Sequence, residues 1–480
     1  MHVFGFVALL LAMMAAQAQE RVTGFNPNQK YHPDTAKRWT RAVMTELSRK
    51  HPGFYRYTSK TRFDQLIDST CVTLIDSLTV WEYYKKLKPL FAQIGCVHTG
   101  VMLSKDYEQY LRQSKTLLPL QVFIDSAQRL LVAKSYLQNQ NLPIGAEILS
   151  IDGQPAAEIL KKLVSAVPSD GFNQSGKLLV LNHQFAQWYQ TVIDFRTEYS
   201  IELNTPHGKV SVRVAGISPE VFPTHEELES ASEKQLKFKI QEGIGILTIH
   251  SFARSAIKRN GQNYKRFIKH TFAQLANEKV SKLVIDLRYN TGGTDGNAVF
   301  LASHFFDRPF RYWDRIEVTE AIAKEIKGTA RLFYRKPVMR DGSYHWQKSW
   351  VTNEFSYYEQ QQPAKWSFDG KTFLLTNGLC LSSCADFVAV LSSNKKALVV
   401  GQETGGGYEG NTSGMMPTAK LPPGLAMTVP LMKYTNAVAP GKNFGRGTLP
   451  DYPIELTFED WTNDRDPELN YVLQLIQQNK

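Results

Sequence analysis

Four cysteines in 480 residues, at positions 71, 96, 380 and 384, are too few for a disulfide scaffold. Cys71 and Cys96 are the one candidate pair, and spacing alone does not assign it. Cys380 and Cys384 match no zinc-site spacing and read as small buried apolar residues. Long hydrophobic runs are also missing. After the N-terminus no stretch approaches the roughly 18 apolar residues of a membrane span. The formal net charge is +11, yet Lys and Arg never form a run of five. That describes a generally basic surface, not the clustered stripe of a nucleic-acid binder. No H-E-x-x-H, paired C-x-x-C, P-loop or dinucleotide signature occurs, so no metal or nucleotide cofactor is implied.

What is present begins with an apolar N-terminus, Val3 to Ala16, followed by Ala16-Gln17-Ala18. This fits a signal peptide over residues 1–18, with only the amino terminus and His2 as a positive leader. Cleavage near Ala18 predicts an exported protein, periplasmic or secreted. No cysteine follows the cleavage site, so a lipid anchor is not indicated. At 42% hydrophobic and 21% charged residues the chain reads as globular, and its length suggests about two to three domains.

Three regions follow. Residues 19–115 read as helical, with apolar residues at helical spacing over Asp34–Lys50, Thr61–Leu78 and Val80–Phe91. This region ends in the turn-like Ile94-Gly95-Cys96-Val97-His98-Thr99-Gly100. Residues 116–215 read as a β-rich module, with strands over Leu118–Ile124 and Leu130–Ser135 and a helix over Ala156–Val164. Residues 216–480 alternate strand and helix: strands at Gly245–Ile249, Lys282–Leu287 and Ala397–Gly401, helices at Tyr264–Glu278, Gly296–Phe306 and Pro467–Ile476. Such alternation predicts an α/β core.

The chemistry-bearing stretch is Thr376-Asn377-Gly378-Leu379-Cys380-Leu381-Ser382-Ser383-Cys384-Ala385-Asp386-Phe387. An apolar strand precedes it and a helix follows. A serine at a helix start lies beside free N–H groups and the positive end of the helix dipole, both of which favour a developing oxyanion. Ser383 is the candidate nucleophile; the alternative is that Ser382 or Ser383 merely caps the helix. A nucleophilic serine needs a base, and His98, set between glycines, is the candidate. His250 and His304 sit in apolar surroundings and read as core or lining residues.

Several stretches resemble known families. "LPIGAEILSIDG" followed by a helix resembles the central signature of PDZ domains, which bind extended segments along a sheet edge. "VIDLRYNTGG", "LLTNGLCLSSCADF", "ALVVGQETGGG" and "GRGTLPDYPIEL" resemble, in order, motifs of the tail-specific (C-terminal processing) proteases and their tricorn-core relatives. "IGCVHTG" is similar to the histidine segment of the tricorn-like branch. The resemblance covers nearly the whole mature chain. It implies an α/β fold: a ClpP/crotonase-like catalytic domain over 216–480, a PDZ-like domain over 116–215 and the helical region carrying His98.

The resemblance also implies roles. Aligned on Asp386, which stands where the family has Glu, the nucleophile falls on Ser383. The backbone N–H of Cys384 and that of Gly292 or Gly293 would form the oxyanion hole. The lysine base of the tail-specific branch is replaced by Gly407, and Lys395, Lys396 and Lys420 do not match its place. The base therefore falls on His98. The orienting acid is left open, with Glu403 and Asp386 as candidates. The expected activity is an exported serine endopeptidase or carboxy-terminal processing-type peptidase, acting on polypeptides or peptides through an acyl-enzyme without a metal or cofactor. The alternatives are a non-catalytic binder of peptides or apolar ligands on the same scaffold, or an esterase.

Overall fold

The computed structural model describes residues 25–137, 142–222, 234–349 and 355–478; the expected signal peptide lies outside them. The chain starts with three helices, α1 (Pro33–Lys50), α2 (Lys60–Val72) and α3 (Val80–Ala92). A Thr79–Glu82 capping box satisfies free N–H groups at the start of α3. The helix expected over Thr61–Leu78 stops at Val72. Thr73 and Leu74 close its last turn with hydrogen bonds to Thr70 and Cys71, Leu74 turns into the core, and Leu78–Thr79 pairs instead with Lys30–Tyr31. After the His98 turn come β1 (Gly100–Leu103) and α4 (Lys105–Ser114).

The next module is a five-stranded antiparallel sheet: β2 (Leu120–Ile124), β3 (Leu130–Ser135), β4 (Glu147–Ile151), β5 (Glu198–Thr205) and β6 (Gly208–Ala215), with a short Gln154–Pro155 strand beside β4. Helices α5 (Ala156–Ala166) and α6 (Ser175–Val192) lie between β4 and β5 in sequence. Its strands and helices enclose their own core, in which Val122, Ile148, Ile159, Leu163, Phe185 and Ile201 are buried.

The last region is organised by a six-stranded sheet: β7 (Leu236–Gln241), β8 (Ile244–Ile249), β9 (Lys282–Asp286), β11 (Lys371–Thr376), β12 (Leu398–Gly401) and β17 (Tyr452–Pro453). Only β7 is antiparallel; the others run parallel. Parallel strands covered on both faces read as continuous apolar runs, as in Leu283-Val284-Ile285 and Phe373-Leu374-Leu375. Their alternate residues go to opposite faces. Leu283, Ile285 and Leu374 join the core containing α7 (Tyr264–Asn277), α8 (Asp295–Ala302) and α9 (Ser383–Ser393). Val284, Phe373 and Leu375 pack with Val472 and Ile476 of α10 (Pro467–Gln478).

Alternation alone does not anticipate two further sheets. One contains β10 (Trp313–Val318), β16 (Met432–Asn436) and β13 (Thr412–Ser413) as neighbours. The other joins β14 (Thr418–Leu421) and β15 (Leu425–Thr428) to β1. Through the β1–β15 register, Leu103 opposite Leu425 and Gly100 opposite Thr428, the N-terminal region contributes a strand to the C-terminal one. His98 lies two residues before that strand. No described helix is long and apolar enough to cross a membrane. Cys71, Cys96, Cys380 and Cys384 are all buried free thiols, so the candidate Cys71–Cys96 disulfide is not formed.

Candidate active site

In open parallel sheets, sites gather beyond the carboxyl ends of the strands. Here three loops leave the carboxyl ends of adjacent strands: 287–293 after β9, 377–382 after β11 and 402–407 after β12. Cross-links hold them together. Asn377 Oδ1 accepts from Tyr289 N–H at 3.1 Å, Leu381 N–H donates to Asn290 O at 3.2 Å, and Gly406 N–H donates to Cys380 O at 3.0 Å. The Arg288 guanidinium clamps the first loop to α10. It donates to Asp286, to both Asp466 oxygens at 2.8 Å, and to Glu468 at 3.0 Å. This arginine therefore shapes the site by ion pairing.

Ser383 opens α9 and is 1% exposed. Its Oγ is buried and has no hydrogen-bond partner among the described residues. Buried polar atoms are nearly always paired, so an orphan hydroxyl at a helix start needs a reason. The residue before it, Ser382, has φ 52° and ψ −132°, a sparsely populated conformation that a side chain tolerates only when its surroundings enforce it. The glycines of the first loop explain part of that enforcement. A Cβ on Gly292 would lie 2.8 Å from both Leu381 O and Ser382 Cβ, and 3.1 Å from Ser383 N. A Cβ on Gly293 would collide with Ala253 N. Only glycine allows the 292–293 backbone to lie this close.

The expected oxyanion donors are not all free. Gly292 N–H donates to Asn290 Oδ1 at 2.9 Å, and Cys384 N–H closes a turn onto Leu381 O at 3.0 Å. The N–H groups of Gly293 and of Ser383 itself have no partner among the described residues. In this conformation the free donors near Ser383 thus differ from the Gly292 and Cys384 pair, because the first turn of α9 and the Asn290 side chain have taken those two.

His98 occupies the turn between α3 and β1. Burial lowers its pKa below 6.5, against the Asp170 carboxylate and the Thr412 carbonyl, which both favour the protonated form. The ring is thus biased neutral, as a general base requires. Its Nδ1 is buried without a partner. Beside it stands Asp170, from the segment joining α5 to α6, which no sequence motif singled out. Asp170 Oδ1 accepts from Val97 N–H at 2.9 Å and Oδ2 from Gly407 N–H at 3.2 Å. Gly407 thus reaches the base segment, while a Cβ on its neighbour Gly406 would meet Ala385 Cβ at 2.5 Å and Ser382 N at 3.1 Å. The glycine loop is the common wall of the His98 and Ser383 neighbourhoods. A side chain at 407 would also collide with Gly410 O, 2.7 Å from the Cβ position.

The two candidate orienting acids have other partners. Glu403 pairs with Arg446 through both carboxylate oxygens and accepts from Gly447 N–H at 2.8 Å. Asp386, in the first turn of α9, accepts from Asn411 Nδ2 at 3.2 Å, Asn436 Nδ2 at 3.0 Å and Trp313 Nε1 at 3.4 Å. Burial still dominates and pushes its pKa up to about 7, with the Asp170 charge adding to the rise. Neither acid bonds His98, because each is committed to fixing a loop. An acid between α5 and α6, about 70 residues from His98 in sequence, carries no local signature that would mark Asp170.

The sequence profile of peptidase family S41 matches residues 243–454. Two solved structures of similar fold are mature CPAF, at 14% identity and TM-score 0.65, covering 93% of this chain and 97% of that one, and mature CPAF complexed with lactacystin, at 15% identity and TM-score 0.62, covering 93% and 98%. At such identities the likeness speaks for the fold alone.

Proposed function

We propose, from the match of peptidase family S41 to residues 243–454, that the chain is a serine peptidase in which Ser383 is the nucleophile, His98 the general base and Asp170 the carboxylate that positions the base. His98 takes the Ser383 Oγ proton as Oγ attacks the scissile carbonyl. The tetrahedral oxyanion is met by N–H groups of the 292–293 loop and of the first turn of α9. The imidazolium, favoured by Asp170, returns its proton to the leaving amine, and water completes hydrolysis of the acyl-enzyme. The substrates are polypeptides, cleaved internally or near a carboxy terminus, outside the cytoplasm. The observation that carries this reading is the buried, unpartnered Ser383 Oγ held against Gly292.

A fluorophosphonate probe tests it. Wild type is expected to label and to hydrolyse an unstructured polypeptide, while Ser383→Ala does neither and His98→Ala loses at least about a hundredfold in kcat. Equal labelling of wild type and Ser383→Ala would sink the nucleophile assignment. A matched ester cleaved while the peptide is not would turn the reading to an esterase.

A further inference from the structure

Three side chains of different chemistry converge beside His98. The ligand atoms of Cys96, His98 and Asp170 all lie within 4.8 Å of one another, and no other described trio of His, Cys, Asp or Glu meets the same closeness. Cys96 and Asp170 are 4% and 2% exposed. Cys96 and His98 are fixed by one turn, closed by Thr99 N–H on Cys96 O at 3.2 Å. Val97 N–H, between them, ties Asp170 to that turn.

Each group has coordinating capacity left. His98 Nδ1 is buried and unpartnered. Each Asp170 oxygen takes one backbone hydrogen bond and retains a second lone pair. The Cys96 thiol makes only a weak S–H contact to Thr412 O at 3.4 Å. A thiolate, an imidazole and a carboxylate form the donor set of Zn²⁺ and similar thiophilic cations, whereas Mg²⁺ and Ca²⁺ require oxygen donors throughout. Bond lengths of roughly 2.0–2.3 Å need the three atoms to draw together by only about an ångström.

We propose that Cys96, His98 and Asp170 form an inhibitory site for Zn²⁺ or a cation of like chemistry. Coordination joins the metal to sulfur, nitrogen and oxygen, and releases the Cys96 thiol proton to solvent. With the imidazole held by the metal, Ser383 has no base. The inhibitory consequence rests on His98 being that base; the binding site does not.

Two arms separate these statements. In the Ser383→Ala protein, titration with zinc sulfate is expected to show one equivalent bound, and Co²⁺ to give a thiolate charge-transfer band. Adding Cys96→Ser should weaken Zn²⁺ at least tenfold and abolish the band. In the peptidase assay, wild type should be inhibited by Zn²⁺ and restored by EDTA. Cys96→Ser should keep its basal turnover and lose the inhibition. Absence of binding to Ser383→Ala, or equal zinc inhibition of Cys96→Ser and wild type, would overturn the proposal. A chain without Ser383-dependent turnover would instead defeat the catalytic reading, and the binding arm would still decide the site.

Discussion

Asp170 shows how one carboxylate can serve both geometry and charge. Its two oxygens hold the base segment and the glycine loop, and its charge favours protonated His98 against the effect of burial. The other titratable groups facing this ring are Cys96 and His51, and burial lowers the His51 pKa to about 3, so His51 is neutral in the working range. Asp170→Asn keeps one acceptor and removes the charge. Its expected effect is a fall in kcat of about ten- to hundredfold with little change in KM. The acid limb of kcat/KM should move to lower pH, because a factor that raises the His98 pKa is gone. A stitching role alone would lower activity without moving that limb, so an unshifted profile would remove Asp170 from the base's electrostatics.

Segment 169–176 ties the five-stranded module to the loops around Ser383. It belongs in sequence to the five-stranded antiparallel module, yet its hydrogen bonds go to the site. Gly171 N–H donates to Gly95 O, Phe172 N–H to Gly445 O, and Ser175 Oγ to Glu403 O. Asn173 is fully buried: its Nδ2 donates to Thr404 O at 2.9 Å, and its Oδ1 accepts from Gly176 N–H at 2.9 Å. Asn173→Ala would leave both buried backbone groups unpaired, at a cost of about 2–4 kcal/mol. Urea unfolding should show that loss, and turnover should fall too, because Thr404 leads the glycine loop. Full activity at unchanged KM would show that the loop holds its shape without this strap. Legibility follows the same division. The parallel strands, the loops at their ends and the place of Ser383 at a helix start are legible, because buried strands are apolar runs and glycines mark close backbone approaches. The acid, the β1–β15 pairing and the engaged Cys384 N–H are not, since each depends on contacts between residues far apart in sequence or on the exact turn at a helix start. The early end of α2 at Val72 belongs here as well: Thr73-Leu74-Ile75 continues the apolar spacing, but pairing of Leu78–Thr79 with Lys30–Tyr31 takes the chain away from the helix.

Over the whole molecule, buried titratable groups set how stability depends on pH. His51 and His304 are each 1% exposed, and burial lowers their pKa values from 6.5 to about 3 and about 4. His304 is also held by Trp366 O at 2.6 Å and stacks on Phe272 at 4.2 Å. A histidine kept neutral in the fold contributes stability above its unfolded pKa, and that contribution is lost as pH falls from 6.5 toward the folded value. As pH falls below 6.5 each of the two withdraws stability from the fold. Half-buried His98, whose pKa burial also lowers, acts in the same direction. Asp386 acts oppositely. Its folded pKa of about 7 lies above its ordinary 3.8, so the fold binds its proton more tightly, and acidification from pH 7 to 4 returns stability. The histidines outnumber the aspartate, so Tm should fall between pH 7 and pH 4, most steeply below 6.5. His304→Phe keeps a ring against Phe272 and removes one titration. It should lower stability at pH 7, where the bond to Trp366 O is lost, and flatten the acid limb of Tm against pH by roughly half. A wild-type Tm that stays level from pH 7 to 4 would mean that acid-side stability is governed by groups other than these buried histidines.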